Sequence, residues 1–189
     1  MKKIGALVAI VVFCFGLYYR YDVYQKNQRV ERLNDRIAVM NFMTDLSNKA
    51  SSYDQDCVNF IVKWFEETVA GNTAKANSAE FFAEGCGEQL RAVHAEAKAT
   101  VNAAREKAPD SQLKEAFIQS ALDYIGAYAD KGRDHDDIYS MLKTAKDRGE
   151  PFGPLADKVN ELLEDDVDRV TDAYNAIEAA KTAYWNDHD

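Results

Sequence analysis

The sequence contains few of the residues that interrupt a helix. Only three prolines and nine glycines occur among 189 residues. Long runs of β-branched residues are missing after the first nineteen positions, whereas alanine, glutamate, lysine, aspartate and leucine are abundant. Because β-branched residues favour strands and the abundant residues favour helices, this composition speaks against a sheet-based domain. The sequence predicts an all-α fold.

The sequence also lacks the motifs that assemble catalytic or nucleotide-binding groups. It has no nucleophile elbow, P-loop, dinucleotide fingerprint or H-E-x-x-H, and its histidines, His94, His135 and His188, lie far apart. The acidic run DHDD at 134–137 suggests a cation site but lacks the ligand spacing of an EF-hand, and it is more typical of the acidic first turn of a helix. We therefore expect no enzyme activity, no cofactor and no metal.

Acidic residues outnumber basic residues, and the basic residues are concentrated near the start of the chain. The chain has 23 basic and 32 acidic residues, a net charge of −9. Residues 1–36 carry seven basic and three acidic side chains, net +4, so residues 37–189 carry net −13. An acidic body is repelled by nucleic acid, so we expect no DNA or RNA partner, whereas the basic start suits anionic lipid headgroups.

One long hydrophobic run is present, IGALVAIVVFCFGLYY at 4–19. Sixteen helical residues cover about 24 Å, and flanking side chains can extend the span toward the roughly 30 Å of a hydrocarbon core. No pair of small residues suited to signal cleavage follows the run, so we expect a retained transmembrane anchor. The expected membrane-interface residues are Lys2, Lys3, Tyr18, Tyr19, Arg20 and Tyr21.

Two of the three cysteines lie symmetrically about the turn signal Gly71-Asn72. If the chain folds back there, equal arms bring Cys57 and Cys86 together, and a disulfide becomes possible; the alternative is two separate buried thiols. Disulfides form in oxidising compartments, so we expect a single-pass protein of a bacterial inner membrane with its main domain in the periplasm. The basic residues that follow the anchor favour the opposite orientation under the positive-inside rule, with a cytoplasmic domain.

Apolar residues recur at helical spacing through the rest of the chain. The pattern predicts a juxtamembrane helix at 20–48, a break at 49–52 and further helices at about 58–70, 78–84, 88–107, 111–132, 134–149 and 155–185. Because the apolar stripes must bury against one another, we expect an antiparallel helical bundle. The predicted organisation is a cytoplasmic tail at 1–3, a transmembrane helix at 4–19, a stalk at 20–48 and a soluble bundle at 49–189.

Two surfaces are candidates for contact with other proteins. A narrow stripe suits self-association or docking on the protein's own domain: Val23, Val30, Leu33, Ile37 and Met40. A carboxylate-rich stretch suits a basic partner, or else is a solvated face: Glu161, Glu164, Asp165, Asp168 and Asp172.

These features favour a membrane-anchored interaction protein, a subunit or accessory of a cell-envelope complex, with an unidentified protein partner and a homo-oligomer as a further option. The alternatives are a membrane scaffold facing the cytoplasm and a ligand-binding bundle. In the ligand-binding alternative, a pocket between helices would be lined by Tyr124, Tyr128, Tyr174 and Trp64.

Overall fold

The fold is described by a computed structural model, which covers the backbone of residues 2–105 and 111–186 and the side chains of residues 19–102 and 111–186. Within those residues every regular element is helical, so the predicted all-α class is confirmed. The elements are α1 (Lys2–Val69), α2 (Thr73–Ala83), α3 (Cys86–Arg105), α4 (Gln112–Arg148), a 3₁₀ turn (Gly153–Leu155) and α5 (Ala156–Trp185). The chain divides into two compact units, Met1–Met40 and Asn41–Asp189.

The ends of the helices follow local sequence signals. Gly71, two residues after the end of α1, and Gly149, directly after α4, both adopt left-handed backbone conformations, with φ of 73° and 66°. At each site the glycine and the next residue donate backbone hydrogen bonds into the last helical turn, which satisfies carbonyls that the helix leaves free. The Ser111 side chain accepts a 3.1 Å hydrogen bond from the Lys114 amide and caps the start of α4.

The predicted break at 49–52 is wrong, because α1 continues through it to Val69. Met43, Leu46 and Ala50 are buried at helical spacing, while Ser51 and Ser52 stay exposed on the opposite side. Burial of one side of the helix outweighs the weak helix propensity of the two serines.

The predicted helix boundary near Gly132 is also wrong, because α4 runs without interruption from Gln112 to Arg148. Gly132 is a packing residue: a Cβ atom on Gly87 of α3 would collide with the Gly132 carbonyl, and one on Gly132 would lie 2.7 Å from the Gly87 carbonyl. The two glycines let the backbones of α3 and α4 approach closely, and this requirement is invisible in a single helical pattern.

The second unit is a helical bundle, as predicted. Side-chain contacts pair Cys57 with Cys86 and Lys49 with Glu96, so α1 and α3 are antiparallel. Ring contacts pair Phe117 with Tyr184 and Tyr124 with Tyr174, so α4 and α5 are antiparallel as well.

Among the residues whose side chains the structure describes, no helix is long and apolar enough to cross a membrane. Most of the predicted anchor at 4–19 lies outside those residues, as do the side chains of Lys2, Lys3 and Tyr18. Tyr19, Arg20 and Tyr21 are exposed. The structure therefore gives the anchor no support, and the anchor stays a prediction.

Candidate functional site

A disulfide joins α1 to the first residue of α3. Cys57 and Cys86 lie with their Cα atoms 5.3 Å apart and their sulfurs at bonding distance, so the predicted pair is confirmed. Both side chains are buried in a cluster with Ile61, Trp64 and Ala83. The link closes the segment that contains α2 into a covalent loop.

Next to this cluster, an apolar groove opens between α1, α4 and the start of α5. It has a volume of about 270 Å³. Helix α1 contributes Val58, Ile61, Val62 and Phe65; α4 contributes His135, Ile138 and Leu142; and the segment that follows contributes Phe152, Leu155, Ala156, Val159, Asn160 and Leu163. We call this feature the groove. Its lining is aliphatic or aromatic except at His135 and Asn160.

A polar triad, in which His135 is buried and Asp54 and Lys131 are partly buried, supports the wall of the groove. His135 is 1% exposed, and its Nε2 lies 2.8 Å from Asp54 Oδ1. The Lys131 Nζ donates to the other Asp54 oxygen at 2.8 Å. Burial raises the pKa of Asp54, but the hydrogen bonds from His135 and Lys131 outweigh it and leave that pKa below its usual value. The triad links α1 to α4 through these two contacts.

The groove continues onto the acidic surface of α5. Asn160 and Leu163 also line a second depression of about 440 Å³, together with Glu164, Val167 and Asp168. The predicted partner-binding carboxylates are all exposed: Glu161, Glu164, Asp165, Asp168 and Asp172. None of the five forms an ion pair with a side chain that the structure describes. We call these five residues the acidic face.

Asp166 belongs to the same stretch of sequence but lies on the opposite side of α5, fully buried. One of its oxygens lies 3.1 Å from an Arg169 nitrogen, yet neither oxygen forms a well-aligned hydrogen bond to a described residue. Burial, followed by the nearby carboxyl group of Asp134, raises the pKa of Asp166 to about 7. One residue of the acidic stretch is therefore buried, and the number of acidic residues in the sequence does not reveal this.

The predicted acidic first turn at 134–137 is wrong, because these residues lie in the middle of α4. Asp134 accepts a hydrogen bond from Arg169 at 3.1 Å, and Asp136 accepts one from Arg91 at 2.7 Å and another from the Gly87 amide at 3.1 Å. Successive helical residues point about 100° apart, so the four side chains face different neighbours. No group of three or more metal-ligating side chains occurs among the described residues.

The four aromatic residues predicted to line a ligand pocket do not all come together, because Trp64 lies apart from the three tyrosines. Tyr124 packs against Tyr128 and Tyr174, with ring centroids 5.2 and 6.0 Å away. Trp64 lies instead in the cluster beside the disulfide, against Tyr139 at 5.0 Å and beneath the Lys146 ammonium group. The structure replaces the predicted aromatic pocket with two separate packing clusters.

The predicted self-association stripe lies in the first unit. Val23, Val30, Leu33 and Ile37 are exposed, and Met40 is partly buried. Self-association through this stripe stays a prediction.

Sequence reasoning missed an exposed aromatic surface on α2. Phe81 is 78% exposed and Phe82 is 51% exposed, and Phe82 stacks on Phe60 of α1 with ring centroids 5.0 Å apart. Successive residues of a helix point about 100° apart, so the adjacency of Phe81 and Phe82 was a weak signal that one of them faces outward.

No protein-family model, curated protein or solved structure matches the chain. The functional conclusion therefore rests on the groove, the acidic face and the sequence.

Proposed function

We propose that this chain is a non-enzymatic interaction protein, tethered to a bacterial inner membrane, that presents its acidic bundle to a protein partner in a cell-envelope complex. The observation that carries the proposal is the acidic face: five exposed carboxylates without ion-pair partners among the described side chains. A partner with complementary basic groups would be steered to this surface.

The arrangement of the acidic face supports a binding role. Glu161 and Asp165, Glu164 and Asp168, and Asp168 and Asp172 are each four residues apart on one helix. Like charges at this spacing destabilise a helix by roughly 0.2–0.5 kcal/mol per pair. A basic partner would reduce this repulsion, so its binding would also stabilise α5.

The tether is the second part of the proposal and is supported by sequence. The apolar run at 4–19 suits an anchor, and an anchor raises the effective concentration of the bundle for partners at the same membrane. The Cys57–Cys86 disulfide favours an exported bundle, since such bonds persist in oxidising compartments. The competing arrangement is a scaffold that faces the cytoplasm.

Charge reversal tests the acidic face. We expect the triple variant Glu164→Lys, Asp165→Lys and Asp168→Lys to reduce capture of the partner from solubilised membranes about tenfold or more, because attraction becomes repulsion. The readout is quantitative mass spectrometry after affinity isolation of the full chain.

The matched control replaces three exposed acidic residues of α1 by lysine, in the variant Asp45→Lys, Asp56→Lys and Glu66→Lys. It changes the net charge by the same amount, and we expect it to capture the partner as the wild type does. Equal loss in both triple variants, or unchanged capture in the first, contradicts the acidic face as the contact surface.

A further inference from the structure

We infer that the groove and the adjoining acidic face form one docking site for an amphipathic helix with basic residues along the edge of its apolar stripe. The inference rests on the proposed function and specifies the chemistry of the partner. Two observations carry it: an open apolar groove, and a row at its border in which Asn160 is followed by Glu164 and Asp168, two carboxylates without ion-pair partners among the described side chains.

The apolar half of the site is open to solvent. Val62 is 47% exposed, and Phe65, Leu155 and Val159 are only partly buried although they line the groove. Covering contiguous apolar surface of this kind is favourable, and such surfaces mark binding sites. A helix with apolar residues at i, i+3, i+4 and i+7 offers side chains that fit a groove between helices.

The acidic half runs beside the apolar half along α5. Leu155, Val159 and Leu163 are four residues apart and face the groove, whereas Asn160, Glu164 and Asp168 form a second row at the same spacing. Each step of four residues advances about 6 Å along a helix. A partner helix lying along α5 would therefore place basic residues, spaced by one turn, against Glu164 and Asp168.

The same carboxylates argue against other occupants. A lipid acyl chain would fill the groove but leave the acidic row without countercharge, and an anionic headgroup would be repelled by it. A second copy of the acidic bundle would bring together two bodies of net charge −13 each, counted over residues 37–189. A basic amphipathic helix would cover the groove with its apolar stripe and place its basic residues against Glu164 and Asp168.

The test uses the full chain in phosphatidylcholine nanodiscs and a synthetic leucine–lysine helix with a photoreactive leucine at the centre of its apolar face. Two further peptides serve as controls: a scrambled isomer with the same charge, and a version with glutamate in place of lysine. We expect adducts from the amphipathic peptide on the groove-lining parts of α1 and α5. The scrambled isomer should give about tenfold fewer, because it has the charge without the apolar stripe.

Variants separate the two halves of the site. Val62→Lys places a cation in the groove, and Val69→Lys makes the same change at a position 62% exposed and outside the groove lining. We expect Val62→Lys to reduce peptide crosslinking about tenfold and Val69→Lys to change it less than twofold. Neutralising the row with Glu164→Gln and Asp168→Asn should reduce crosslinking at low salt, and the difference should shrink as salt rises.

Three results would overturn the inference. Equal adducts from the amphipathic and scrambled peptides would mean attraction by charge alone. Insensitivity to Val62→Lys, or a complete lack of adducts, would mean that the groove does not receive this class of helix. All three leave the membrane capture test of the acidic face standing, so the docking inference can fail while the proposed function survives.

Discussion

At the scale of single residues, Asp166 shows that an acidic run in the sequence does not imply that each of its carboxylates is exposed. It lies among exposed carboxylates in sequence, yet it is fully buried between α4 and α5, with Arg169 and Asp134 beside it. Its pKa of about 7 lies well above its ordinary value of 3.8. Between these two values the folded state binds a proton that the unfolded state has released.

The stability of the protein should therefore fall as pH rises from about 4 to 7, by the contribution of this group. Asp166→Asn removes that contribution, because an amide does not ionise. We expect the variant to be more stable than the wild type at pH 8, by about 1–3 kcal/mol, and the difference to shrink near pH 4. Urea unfolding at the two pH values measures this. The exposed neighbour Asp165→Asn is the control, and equal pH dependence in wild type and Asp166→Asn would contradict the account.

Some residue roles were predictable from sequence and others were not. The cap at Ser111 and the helix end at Gly149 act through their own backbone neighbours, so local patterns identify them. Gly132 and the run at 134–137 depend on what α3 and α5 place against α4. Those roles require tertiary contacts that no single helical pattern contains.

At the scale of elements, the α1–α2–α3 segment depends on its disulfide. Helix α2 folds back along α1 and returns Cys86 to Cys57, 29 residues away in sequence. Closing a loop of this length stabilises a protein by about 3–4 kcal/mol in the chain-entropy model. The bond was predictable because the turn at Gly71 lies midway between the cysteines, whereas the adjacency of Phe81 and Phe82 was a weaker signal and did not show which of them is exposed.

Removing the bond with Cys57→Ser and Cys86→Ser should lower the free energy of unfolding by about 3–4 kcal/mol. Urea unfolding of the variant, compared with the wild type before and after reduction, measures the effect. Reduced wild type should resemble the double variant. Wild-type unfolding that does not change on reduction would show that the bond does not stabilise the bundle.

At the scale of the whole molecule, the sequence predicts the helical class and the acidic charge but not the groove. The groove needs α1 residues near 58–65, α4 residues near 135–142 and the segment at 152–163 to meet. Their apolar side chains are typical of buried core positions, so only the structure shows that several remain open to solvent. Because the acidic face borders the groove, we infer that the two surfaces bind the same partner.

The most direct test of this account is crosslinking in intact cells from photoreactive amino acids placed one at a time in the full chain. We expect one common protein adduct from Val62 in the groove and from Asp168 in the acidic face. We expect no such adduct from Val69 or Asp45, which are exposed elsewhere on α1. Adducts that appear equally at all four positions, or only at the two control positions, would contradict it.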